Sequence, residues 1–416
     1  MLEIIDPNLC LQANHYPSQV YDIPRQMAPA LLAFGMSRRF DLIENTCQKT
    51  TTAFLSALPQ KCARQIKTSI RNGKNYFCSK LTAKESPYFL LSIDGGGVKG
   101  VIPAKILKLL EEKVGYKTGQ LFDGIAGTST GSILAASLSL EDSKNPGQSK
   151  YSAEDIHEIY HAHSAKIFTS NLLQKLQSLG GLHGPRYPNK QLFETAEAYL
   201  NDAGLQHTTT DLIIPCIDVE TRKLHLFKHL KKDPCKLKHP LSEILKAACA
   251  APTYFPAGHF FDPDEKRKRT LVDAGIALQN PCYLAFDHFC KDLPKDRKIV
   301  VLSLGTGRLS TPLMNIDAVK YAGAIKWLSP IIEMLLDSSC DAVDQQMKIV
   351  QKYDKRVEYI RLEVKLETQA QKATDNTEEK NLLRLTELAK KTWEEQHELE
   401  EKLINPLKDK MRRKKS

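Results

Sequence analysis

Between Tyr88 and Ile93 the chain is almost wholly apolar. A short run of this kind bounded by turn residues predicts a strand buried on both faces. A glycine turn, Gly95 to Gly100, follows, and then Ile102, Ile106, Leu109, Leu110 and Val114 recur with helical spacing. The same texture returns downstream. Phe122 to Ala126 predicts a strand and Ser132 to Leu138 a helix, with another helix over Ala153 to Phe168. Further strands are predicted at Asp211 to Val219, Leu224 to Lys228, Lys298 to Leu304 and Val357 to Leu362. Strands alternating with helices predict an α/β fold, here one layered core over about residues 86–365. Helical stretches at Ala28 to Phe40 and Thr52 to Ile70 predict a helical N-terminal extension over 1–85. After the core, Glu367 to Lys380 is polar and reads as a linker or frayed helix start. Beyond it, Leu382, Leu385, Ala389, Trp393, Leu399 and Leu403 form a helical stripe, so the charged C-terminal extension, 366–416, is expected to pack on something.

Composition narrows the class. No apolar run approaches the ~20 residues needed to cross a bilayer, and the hydrophobic fraction of 42% is ordinary for a soluble globular protein. Met1 to Leu11 lacks a basic segment followed by an apolar one, so ordinary secretory export is not expected and the location is read as cytoplasmic. Ten scattered cysteines without Cys-x-x-Cys pairs read as reduced structural thiols. No His-Glu-x-x-His or Cys/His spacing announces a metal, and no metal site is expected. The net charge of +10 gathers partly in Lys228 to Lys238, Lys266 to Arg269 and Lys408 to Lys415. Runs of this kind commonly form solvated surface; the sharper reading is peripheral contact with anionic membranes. Nucleic acid is not expected, because no nucleic-acid-binding motif accompanies the charge.

Three segments carry chemistry. Gly127-Thr128-Ser129-Thr130-Gly131 sets a serine between two glycines at a strand-to-helix turn, the pattern of a nucleophile elbow in which the hydroxyl stands exposed. A serine needs a base, and Asp273 in Leu271-Val272-Asp273-Ala274-Gly275 is a candidate, since a short apolar run delivers its carboxylate to a turn. An isolated Asp-Ala-Gly is otherwise an ordinary turn or cap. Asp94-Gly95-Gly96-Gly97-Val98-Lys99-Gly100 can expose backbone N–H donors toward a developing oxyanion. Lys99 is read either as a contact to a substrate phosphate or as a solvated loop lysine. Gly95, Gly97 and Gly100 also satisfy Gly-x-Gly-x-x-Gly after a strand. A dinucleotide site would want an acidic residue ending a second strand about 20 residues on, whereas Glu111 and Glu112 fall inside the predicted helix.

Together these motifs resemble the patatin-like family of lipid acyl hydrolases, plant-type patatins above all. The resemblance extends through Ile156 to Phe168, Ala247 to Pro256 with its Ala-Pro-Thr-Tyr-Phe-Pro, Ser303 to Gly307, and Gly323 to Asp344. It implies a three-layer α/β/α core with a mostly parallel central sheet and a Ser-Asp dyad: Ser129 as nucleophile, Asp273 as base, and Gly95, Gly96 and Gly97 as the oxyanion loop. Gly100, Gly127, Gly131 and Gly275 fall on the family's motif glycines. Two positions depart from the pattern, Ser132 and Ala274, where glycine is usual; both replacements are small, so altered tuning rather than lost activity is expected. The implied reaction is cofactor-free hydrolysis of a fatty-acyl ester in a phospholipid or lysophospholipid. Some bacterial patatin-like effectors use their extensions to recruit a protein activator, and the acidic then basic tail from Glu394 resembles the secretion signals of proteins translocated into a host cell. Two readings compete: a catalytically silent lipid- or partner-binding protein, and an α/β-hydrolase esterase whose triad is completed by His288 or His397.

Overall fold

The computed structural model describes residues 85–169, 183–232, 239–262, 266–309 and 323–415. The helical segments expected before residue 85, and residues 233–238 of the first basic run, lie outside the described residues.

The apolar run from Tyr88 forms strand β1 (Tyr88–Ile93), buried along its whole length. It lies beside β2 (Gly124–Gly127), which opens the series β3 (Asp211–Asp218), β4 (Lys223–His229), β5 (Gly258–Asp262), β6 (Arg267–Asp273), β7 (Ile299–Leu304) and β8 (Val357–Leu362). The sheet has eight strands in the order β8-β7-β1-β2-β3-β6-β5, with β4 paired to β3 off this path. β8, β7, β1, β2 and β3 run parallel to their neighbours, whereas β4 and β6 run antiparallel to β3, and β5 antiparallel to β6. The sheet is thus mostly parallel, and a parallel strand is covered on both faces.

Side chains alternate across β1, so one strand feeds two cores. Phe89, Leu91 and Ile93 enter one apolar cluster with helices α1 (Val101–Val114), α2 (Thr130–Ser139), α3 (Ala153–Ile167) and α5 (Leu241–Ala248), the amphipathic α4 (Lys190–Leu200) lying between α3 and α5 in the chain. Tyr88 and Leu90 enter a second cluster with α6 (Cys282–Cys290) and the far end of α7 (Ala324–Tyr353). Helices therefore cover both faces, giving the expected three layers.

The predicted strands at Asp211, Leu224, Lys298 and Val357 stand within a residue or so of their observed bounds. β5 and most of β6 were not predicted: β5 buries only alternate residues, and β6 carries Arg269 inward. The C-terminal stripe is buried. Leu382, Leu385, Ala389 and Trp393 of α8 (Glu379–Glu394), then Leu399, Leu403, and Leu407 and Met411 of α9 (Asn405–Lys415), join the first cluster against α1. Lys410 is buried with them, its Nζ 2.8 Å from the Leu121 carbonyl and 2.7 Å from Asp123. Burial lowers its pKa to about 8 against the pull of that carboxylate.

Candidate active site

β2 ends at Gly127 and α2 begins at Thr130, leaving Ser129 in the turn with φ 53° and ψ −122°. A non-glycine residue with positive φ is strained, at a cost of about 1–3 kcal/mol. Its surroundings hold it there. The Ser129 carbonyl accepts from the Ser132 N–H at 2.9 Å, the Ser132 hydroxyl at 2.5 Å and the Cys249 thiol at 3.4 Å. The serine that departs from the family pattern thus braces the elbow. Thr128 is tied from its N–H to the Ile93 carbonyl and from its hydroxyl to the Leu278 carbonyl. A Cβ on Gly127 would overlap the Gly131 carbonyl, and one on Gly131 would overlap that of Ile93. Both glycines are therefore required by close backbone approach.

Asp273 ends β6, opposite Cys216 of β3. Its N–H donates to the Ala250 carbonyl at 3.1 Å, which ties the Ala-Ala-Pro-Thr-Tyr-Phe-Pro segment to the end of β6. Its Oδ1 accepts from the Gly275 N–H at 2.8 Å, and the Ser129 side chain lies near enough to favour its charged form. Burial pushes its pKa up from 3.8 to about 6, against the opposing pull of Ser129 and the Gly275 N–H. Ala274, the other departure, is fully buried and precedes the short helix Gly275–Leu278.

Ser129 and Asp273 share a cavity of about 190 Å³ with Gly96, Gly97 and Thr130. Its walls are chiefly apolar, from Ile133, Ile156, Ile159, Phe168, Leu192 and Phe255 to Ile332 and Leu336 of α7. Among the described residues no histidine lines it, and neither His288 nor His397 reaches it.

The glycine loop divides its labour. Gly95 already donates its N–H to the Gln279 carbonyl at 3.1 Å, and its own carbonyl accepts from Gln279 Nε2 at 2.7 Å and Thr306 Oγ1 at 2.5 Å. The donor expected of Gly95 is therefore already engaged, and this glycine serves as an anchor. The N–H groups of Gly96, Gly97 and Thr130 have no backbone partner among the described residues, and all three residues line the cavity. Thr130 was missed in the sequence, although the residue after an elbow serine is a regular donor position. Beneath the loop, Asp94 receives Arg361 of β8 at 3.0 and 2.6 Å, and Arg361 also pairs with Glu363. Burial raises Asp94 toward neutrality while Arg361 opposes it. Gln279, Thr306 and Arg361 left no catalytic signature; Thr306 alone lay in a segment with family character.

Lys99 does not reach this cavity. It is buried, and it lines a neighbouring polar cavity of about 560 Å³ with Thr306, Glu363 and Lys372. Burial lowers its pKa. Gly100 lies against Tyr160 and Thr130, and Gly275 against Gln279 and Asp273. The two arginines of the basic run before Asp273 are engaged in ion pairs, while Lys266 and Lys268 are exposed. Arg269 is buried between Asp218 at 2.6 Å and Asp262 at 2.7 Å, and Arg267 pairs with Asp218 and Glu220. None of the four lines the cavity.

A model of the patatin-like phospholipase family matches residues 91–286, from β1 through α6. Patatin-like protein 2 of Arabidopsis thaliana is 33% identical over 296 residues, covering 63% of this chain and 71% of that protein. The chain belongs to the patatin-like phospholipase family. Patatin-07 of Solanum tuberosum is 30% identical over 333 residues, covering 73% of this chain and 82% of that protein. Among solved structures, VipD from Legionella pneumophila matches with 11% identity and a TM-score of 0.30, covering 73% of this chain and 67% of that one; it bears no weight here. Membership of the patatin-like family brings lipid acyl hydrolysis as the general activity class.

Proposed function

We propose that this protein hydrolyses fatty-acyl esters of glycerophospholipids or lysophospholipids, with Ser129 as nucleophile and Asp273 as its base. The observation carrying this reading is the strained Ser129 and the buried Asp273 carboxylate lining one apolar cavity that suits an acyl chain. Ser129 Oγ attacks the ester carbonyl and passes its proton to Asp273. The tetrahedral oxyanion takes the free N–H groups of Gly96, Gly97 and Thr130, at the N-terminus of α2. Collapse expels the lipid alcohol, which takes the proton back from Asp273; water activated by the same carboxylate then cleaves the acyl-enzyme and frees the fatty acid.

A dyad fits better than a triad because no histidine among the described residues lines the cavity. Peripheral contact with anionic membranes belongs to the same proposal. Ile332 and Leu336 of α7 line the cavity while Ile331, Met334 and Leu335 beside them are exposed, and Lys266 and Lys268 are the basic residues of their run left outside the Asp218 and Asp262 pairs.

The test is fatty-acid release from mixed phospholipid vesicles by the purified chain, Ser129→Ala and Asp273→Asn, with and without a eukaryotic cell extract. Loss in both variants supports the dyad, and extract dependence identifies a need for a protein activator. A wild-type chain silent throughout favours the lipid-binding alternative.

A further inference from the structure

The polar segment after the sheet runs across the active site. Its short helix, Gln369–Lys372, leads into Ala373, Thr374 and Asp375. The Thr374 carbonyl accepts the Val98 N–H at 2.9 Å, one residue after the free donor of Gly97. Gly97 itself has φ 61°, and a Cβ there would overlap that same carbonyl, so the segment presses on the loop at the closest approach a backbone permits. Thr374 also lines the catalytic cavity.

Two clamps hold the segment in place. On one side Asp375 accepts from Arg186 Nη1 at 2.8 Å and Tyr187 Oη at 2.9 Å. Those two residues are bound through their N–H groups to the carbonyls of Thr253 and Tyr254, in the stretch just after Ala250, which receives the Asp273 N–H. On the other side Lys372 pairs with Glu333 and Asp337 of α7, next to the cavity residues Ile332 and Leu336.

We infer that Asp375 is a positioning residue for the oxyanion loop: through the Thr374 carbonyl it fixes the turn at which the Gly96 and Gly97 N–H groups face Ser129. This inference rests on the proposed acyl-transfer reading. An oxyanion donor works only where its N–H is aimed at the developing charge, and losing one such donor reduces kcat by about 10²–10³. A loosened tether misaims donors without removing them, so a smaller loss is expected.

The experiment compares wild type with Asp375→Ala, Arg186→Ala and Asp375→Glu on a short soluble p-nitrophenyl ester, with competent sites counted by fluorophosphonate labelling. Asp375→Ala and Arg186→Ala each lower kcat per competent site about tenfold with KM within twofold, the double variant is no worse than either, and Asp375→Glu recovers most of the rate. Hydrogen exchange at the Val98 amide rises in both alanine variants whether or not the ester is turned over. An unchanged kcat per site, or a rise in KM alone, overturns the inference, and so does unchanged exchange at Val98. A wild type that takes no label and cleaves no ester fails the Ser129 reading instead, and Val98 exchange then still decides the role of Asp375.

Discussion

The two halves of the active site are built differently. At the elbow, the strained Ser129 is held chiefly by near neighbours, with Ser132 donating twice to its carbonyl and Gly127 packed on Gly131. The glycine loop has little such local support. Gly95 is pinned by Gln279 and Thr306, 184 and 211 residues away, and Asp94 by Arg361, 267 residues away. The nucleophile's geometry is thus written chiefly into six consecutive residues, Gly127 to Ser132, whereas the electrophilic half exists only once distant strands and loops have assembled around it.

The largest effect tests whether the halves meet at one dyad. Ser129→Ala and Asp273→Asn each lower kcat by at least about 10³-fold, and combining them adds little, as for other residues that act as a unit. Next comes the loop's foundation. Arg361→Met leaves Asp94 buried without its partner, which costs about 3–5 kcal/mol in denaturant unfolding and lowers activity with it. The elbow's serine should still be present in whatever remains folded.

Acidity separates chemistry from stability. Asp273 accepts a proton only when ionised, so kcat/KM falls as pH drops through about 6. Its folded pKa lies above its ordinary 3.8, so the folded state favours the neutral form, and stability declines as pH rises from about 4 to about 6. Asp273→Asn, though inactive, should therefore be the more stable chain at pH 8, by up to about 3 kcal/mol, with the difference gone by pH 4; thermal melting at the two pH values checks it. Thr306→Val removes one of two donors to the Gly95 carbonyl and lowers kcat about tenfold. The smallest effect is at the elbow: Ser132→Gly restores the family's usual residue, removes the hydroxyl's bond to the Ser129 carbonyl, worth about 1 kcal/mol, together with its weaker contact to the Cys249 thiol, and changes kcat only a few-fold.

The same contrast explains what could be read from the chain. β1 and β7 were legible because strands buried on both faces appear as continuous apolar runs. The elbow was legible because its glycines and serine are contiguous. β6 was obscured by Arg269, an inward cation whose partners Asp218 and Asp262 lie on other strands. Asp375 and Thr374 were read as linker because one acts through an ion pair and the other through a backbone carbonyl, and neither leaves a hydrophobic period. Lys99 was misjudged because its motif says where it sits in the chain and nothing about which cavity it enters.

The burial of Lys410 and Met411 has a consequence in time. The apolar face of α1, made near residue 100, packs against helices that reach Met411. A growing chain therefore carries the residues of the elbow and an uncovered core while everything from α3 to α9 is still being made. Its catalytic unit can settle only after α9 has left the ribosome, which makes the interval before that the period in which chaperones and misassembly compete for it.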